Sequence, residues 1–90
     1  MPVVEAVKRP IKVTAVKWTG VNLEEVEDFA QDDSGKCFDV EYAGFGAEVW
    51  DSVQEVWIAA HVGDWIVKGI KGEFYPVNDA VFQETYDLAP

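Results

Sequence analysis

Residues 63–76, Gly63-Asp64-Trp65-Ile66-Val67-Lys68-Gly69-Ile70-Lys71-Gly72-Glu73-Phe74-Tyr75-Pro76, constrain the fold more than any other stretch. Gly63-Asp64 is a turn signal. Trp65 and Val67 alternate with Ile66 and Lys68, which is the period of a strand. Gly69-Ile70-Lys71-Gly72 then offers a four-residue connection whose glycines can take φ > 0. Glu73-Phe74-Tyr75 resumes a strand, and Pro76 is expected to end it by removing a ladder donor. The stretch therefore reads as a β-hairpin. Ile70, between two glycines and beside a lysine, either folds back onto the domain or stands as an exposed apolar tip that meets a partner or a second copy of the chain.

Before the hairpin, Ile11 to Trp18 is β-rich and roughly alternating, with Ile11, Val13 and Ala15 on one face and Val16 and Trp18 on the other. Asn22 to Gln31 reads as a helix. Asn22 is its cap, with Glu25 as a capping-box partner, Val21 and Val26 spaced as a hydrophobic staple, and Leu23, Val26, Phe29 and Ala30 as the apolar stripe. Asp32 to Lys36 is a polar loop without the ligand spacing of a calcium site. Phe38, Val40 and Tyr42 alternate with Asp39 and Glu41 as a half-exposed strand, and Ala43-Gly44-Phe45-Gly46 reads as a turn. Glu48-Val49-Trp50 is a short strand, and Glu55 to Ala60, nearly continuous in apolar residues, reads as a central one. After the hairpin, Asn78 to about Tyr86 reads as a second helix with Val81, Phe82 and Tyr86 facing inward. The expected fold is a single α+β domain over residues 1–90. It holds a small antiparallel sheet of about five to six strands and two short helices, one after the first strand and one at the C-terminus.

The chain has 90 residues and a net charge of −10. At that length only about 60–65 % of the unfolded surface is buried, so the core is thin and self-association is expected. Its acidity argues against binding nucleic acid through backbone phosphates. No run is long enough to span a membrane, and nothing resembles a signal peptide. The single Cys37 excludes an intramolecular disulfide framework and fits a reducing cytosol. One Cys and one His, Cys37 and His61, cannot form a Cys/His zinc site within one chain, and no P-loop or dinucleotide fingerprint is present. The chain therefore reads as a non-enzymatic protein without metal or cofactor.

The charge is uneven. Lys8, Arg9, Lys12 and Lys17 precede Thr19 against Glu5 alone; from Thr19 through Val67 the only base is Lys36, against twelve acids. If the first strand meets the hairpin, Lys17, Lys68 and Lys71 either build a basic patch or merely offset the acids around them. Trp18, Trp50, Trp57 and Trp65 are either core filler or flat faces for stacking on a base or a partner side chain.

The residues 63–76 resemble a motif of small phage and prophage proteins, a family mostly of unassigned function. Pro10, Ala15-Val16-Lys17-Trp18-Thr19-Gly20 and Asn22-Leu23-Glu24-Glu25 are similar to the same family's opening, and Phe82 and Tyr86 to its close. Residues 32–60 carry no resemblance, and Val77-Asn78-Asp79 stands where the family more usually has Cys-Lys-Pro. The resemblance implies phage origin and the bacterial host cytoplasm. It brings no catalytic residues. Three functions fit these features. One is an anti-defence protein, a homo-oligomer sequestering a small immune nucleotide with Trp18, Trp65, Lys68, Lys71 and Tyr75 as ligand-binding residues. The second is an acidic inhibitor of a host enzyme or DNA-binding protein. The third is a structural or morphogenetic phage component.

Overall fold

The computed structural model describes residues 3–7, 10–40 and 46–88. It has an α+β architecture with more strands than expected: β1 (Thr14–Lys17), α1 (Leu23–Phe29), β2 (Gln31–Asp32), β3 (Gly35–Lys36), β4 (Phe38–Val40), β5 (Ala47–Asp51), β6 (Val56–Ala60), β7 (Trp65–Lys68), β8 (Phe74–Val77) and α2 (Asp79–Thr85). These form antiparallel sheets of order β1-β7-β8 and β4-β5-β6 and a minimal β2-β3 ribbon. The expected turn at residues 43–46 falls mostly outside the described residues.

The hairpin forms as β7-β8, with Val67 opposite Tyr75. Gly69 N–H donates to the Glu73 carbonyl, and Gly72, at φ 81°, donates back to Gly69. Pro76 does not end the strand; it lies within β8, opposite Ile66. Gly69 and Glu73 are a hydrogen-bonded pair, so alternation makes Val67–Tyr75 the next such pair and leaves Ile66–Pro76 non-bonded. The missing N–H of Pro76 therefore points away from β7 on an edge strand, where proline is tolerated.

Only Thr14 to Lys17 of the first predicted strand pairs, and Ile11 is 47 % exposed. Trp18 extends the pairing: its N–H donates to the Asp64 carbonyl and its own carbonyl accepts from Gly63. Two residues thus oppose one, a bulge that Gly63 makes possible at φ 99°.

In α1, Asn22 does not cap by its side chain. Its Oδ1 accepts from Thr19 N and Oγ1, and its Nδ2 donates to the Lys17 carbonyl and Glu25 Oε1. Asn22 thus ties the loop to β1, and the expected capping box becomes a side-chain pair. Val21 is 92 % exposed, so no staple forms. Val26 and Ala30 are buried, and Phe29 meets Phe74 edge-on at 5.6 Å. At the second helix Asn78 does cap, accepting from Ala80 N. Phe82 is buried, whereas Val81, expected inside, is 51 % exposed; the 100° step along a helix turns it off the face that Phe82 occupies.

β6 is not central. It forms the edge of its sheet, and β5 is the middle strand, with Ala47, Val49 and Asp51 buried on its inner face. β8 comes close to both β5 and β6, and an approach to the middle strand of a sheet has to cross its face. The core between the layers includes Trp18, Phe38, Val49, Ile66 and Phe74. Among the described residues no helix is long and apolar enough to cross a membrane.

Candidate functional site

The five predicted ligand-binding residues do not converge. Trp18 is in the core at 6 % exposure, edge-on to Phe38 at 5.1 Å. Trp65 is half-buried and committed to the fold. Its ring stacks on Phe82 at 4.3 Å and 10°, Lys17 Nζ lies 5.9 Å from its centroid, and its indole N–H donates to Asp79 at 2.8 Å. Trp18 is enclosed in the core, and one face of Trp65 is taken by Phe82.

β1 and β7 do pair, as a basic patch requires, yet the patch fails on register. Lys17 sits opposite Trp65, and Lys68 sits opposite Thr14. Trp65 and Lys68 are three residues apart in one strand, so Lys17 and Lys68 lie on opposite faces. Lys17 is also paired with Asp79 at 3.6 Å. The side chain of Asp79 has three favourable partners: the hydrogen bonds from Trp65 and Gln83 hold its carboxyl below the usual range, with Lys17 adding to them.

Lys71 and Tyr75 do meet. They line one cavity of about 430 Å³ with Asp51, Val53, Gln54, Ile70 and Glu73. Next to it, the same Ile70, Glu73 and Tyr75 line a second cavity of about 500 Å³ with Pro10, Ile11, Val13, Thr85 and Tyr86. Both volumes suit a small ligand or an inserted side chain. Ile70 lines both and is 71 % exposed. The hairpin does not fold its tip back; the Gly69–Gly72 turn projects it. Among the described residues neither Lys68 nor Lys71 makes an ion pair.

Tyr75 is a half-buried residue shared by both clefts. Burial pushes its phenol up to about 12, helped by a hydrogen bond with Tyr86 and by the nearby Glu73 and Asp51 charges. It is neutral at physiological pH and serves as a hydrogen-bonding wall rather than a base. Asp51, 3 % exposed, does not face the cleft as an open charge: its carboxylate accepts from Val53 N and Gln54 N and from Gln54 Nε2.

The other reactive groups lie elsewhere. Cys37 is buried, and burial first, then Asp32, pushes its thiol up to about 11. Such a thiol stays protonated at neutral pH and packs as a small apolar group. His61 is exposed at the end of β6, where Asp64 Oδ2 lies 3.7 Å from Nδ1 and accepts from the His61 backbone N–H. Among the described residues no group of three or more His, Cys, Asp or Glu could hold a metal ion.

Neither a protein-family model, nor a curated protein, nor a solved structure matches the chain. The site therefore has to be read from its own geometry. Tyr86, Gln54 and Val53 join Tyr75 only through folding. The sequence marked Tyr86 as an inward-facing residue of the second helix, and nothing local placed any of the three beside Tyr75. Ile70 was marked, by its place between two glycines.

Proposed function

We propose that this is a non-enzymatic binding protein that docks a host protein through the Ile70 hairpin tip and the two clefts beside it. With the phage resemblance of residues 63–76, the fitting setting is the bacterial cytoplasm and the fitting role is inhibition by occupation. The observation that carries this reading is the 71 % exposure of Ile70 above two apolar hollows. An isoleucine projected into water beside concave surface gives a partner both a knob and a socket, the arrangement of interface anchors. The net charge of −10 around it steers toward a basic partner surface and makes the association salt-sensitive.

The test is capture from host lysate on immobilised wild-type protein, on Ile70→Asp and on Val21→Asp as a surface control. One partner held by the wild type and the control, released by Ile70→Asp and by salt, supports the reading. No partner, or one indifferent to Ile70, rejects it.

One observation favours a second reading, sequestration of a small immune nucleotide: Lys71 and Tyr75 share a cavity. Lys71 would meet a phosphate as a point charge, and Tyr75 would line the base. Against it, Glu73 lines the same cavity and Lys68 and Lys17 lie on opposite faces of the sheet. Native mass spectra with a panel of cyclic and linear nucleotides decide: a retained ligand mass, lost in Lys71→Ala, would move the conclusion to this reading.

A further inference from the structure

The sheet edges are defended unequally. Exposed strand edges recruit other strands unless a charge, a proline or a bulge blunts them. β1 carries Lys17, β4 carries Asp39 and β8 carries Pro76. β6, Val56-Trp57-Ile58-Ala59-Ala60, carries none of these, and among the described residues it pairs only with β5. In a chain of net charge −10 it is a five-residue edge without a charge. Val56 is 43 % exposed and Trp57 46 % exposed, and Ala59 is also exposed.

We infer that β6 pairs antiparallel with β6 of a second copy, about a two-fold axis at Ile58. That register places Trp57 opposite Ala59 of the other copy and Val56 opposite Ala60, so a large side chain meets a small one at each step. Trp57 and Ala59 share the outer face with Trp50, which already meets Trp57 across the hairpin at 5.6 Å. The second copy thus covers the exposed side of an existing aromatic pair. The two Trp57–Ala59 pairings bring the outward-pointing N–H and C=O groups of one edge to those of the other; beyond them the backbone of Glu55 and His61 is already bonded to Asp51 and Asp64 of its own chain, so the ladder is confined to β6.

The strand ends agree. The same register brings Glu55, just before β6, opposite His61 of the other copy, just after it. The only histidine in the chain, whose Nδ1 already lies 3.7 Å from the Asp64 carboxylate of its own chain, therefore meets a second acid across the axis at both ends. Any other centre moves Trp57 off Ala59 and His61 off Glu55. An isologous contact of this kind closes as a dimer and leaves no further β6 edge exposed.

The experiment is sedimentation velocity over a concentration series, with native mass spectrometry for the mass. A species of twice the 10.1 kDa chain mass is expected. Because the contact strand is uncharged and each copy is acidic, added salt tightens it, opposite to the host-partner contact. Trp57→Lys weakens the dimer roughly tenfold, since the two-fold axis removes two cross-strand pairs. His61→Lys strengthens it by setting a full charge against Glu55, and Glu55→Lys weakens it. Ile70→Asp leaves it intact, which separates this contact from the proposed docking tip. A monomer at every concentration overturns the inference. So does a dimer that ignores both Trp57→Lys and His61→Lys. If Trp57→Lys does not melt cooperatively, His61→Lys decides alone, and unchanged association overturns the pairing.

Discussion

The two three-stranded sheets treat their tryptophans differently. In β1-β7-β8 both faces are covered. Ile66 and Phe74 face the core, and α2 covers the other side, where Phe82 stacks on Trp65. In β4-β5-β6 only one face is covered, and Trp50 and Trp57 pair on the other with Trp57 46 % exposed. A tryptophan in this chain is core or surface according to what the second face of its sheet meets. Residue type and neighbouring lysines do not decide it. The first sheet is covered on both faces within one chain; the second leaves Trp57 on its outer face and, among the described residues, the β6 edge open.

The largest effect should come from the shared core. Phe74 is 1 % exposed and meets Phe29. Phe74→Ala removes a ring that both layers enclose and should cost about 3–5 kcal/mol. In a domain of this size that lowers the melting temperature by well over ten degrees, at about 4–8 °C per kcal/mol. Urea unfolding followed by tryptophan fluorescence measures it. A loss of under about 1 kcal/mol would mean that the layers do not share this core.

Asp51 tests the join between the one-sided sheet and its turn. Asp51→Ala removes the charged acceptor of the part-buried bonds from the Val53 and Gln54 N–H groups, at about 1–3 kcal/mol. Asp51→Asn keeps an acceptor oxygen and should cost less. Equal losses for the two would show that charge, not the acceptor geometry, matters at this turn.

The expected order of elements survives folding where the reasons are local. Gly69 and Gly72 set the hairpin turn, Asn78 caps α2, and Val26 and Phe82 point inward. It fails where the deciding partner is distant in sequence. Glu55 to Ala60 has the apolar run of a central strand but occupies an edge, because among the described residues only β5 pairs with it, and pairing partners are set by the tertiary fold. Lys17 and Lys68 reach the same sheet, and only the register of β1 on β7 separates their faces. At the candidate site Ile70, Lys71 and Tyr75 were legible from the hairpin. Tyr86 was legible as an inward helix residue, but that it and the 52–54 turn stand beside the hairpin was not, since the tertiary fold alone brings them there.

Alkaline pH probes both regions at once. Folding raises the Cys37 thiol from about 9 to about 11 and the Tyr75 phenol from about 10 to about 12. A raised folded value means the protonated form is the one the fold prefers. The stability linked to Cys37 is therefore whole below pH 9 and lost as pH rises toward 11; that linked to Tyr75 is whole below 10 and lost toward 12. Phenolate absorbance should show Tyr75 ionising late, and Tyr75→Phe should remove the second part of the alkaline decline. At the acid end, Asp79 has the opposite sign: its lowered carboxyl adds stability above the ordinary aspartate range, lost as pH falls through the folded value. Asp79→Asn should flatten that limb.

The smallest effect sharpens the comparison most. Trp57→Ser deletes an exposed half of a cross-strand pair, which contributes only about 0.2–1 kcal/mol to the fold of one chain. Trp65→Phe, by contrast, removes the indole N–H that Asp79 accepts, at about 1 kcal/mol, on the sheet that is already complete. Both changes are mild in a dilute monomer. They should part company as concentration rises. If the exposed sheet is finished by a second copy, the stability lost in Trp57→Ser grows with protein concentration, because the wild type gains from association and the variant does not. The loss in Trp65→Phe stays constant. Melting temperatures of both variants across a concentration series would show it, and parallel lines would mean that the two sheets are equally complete.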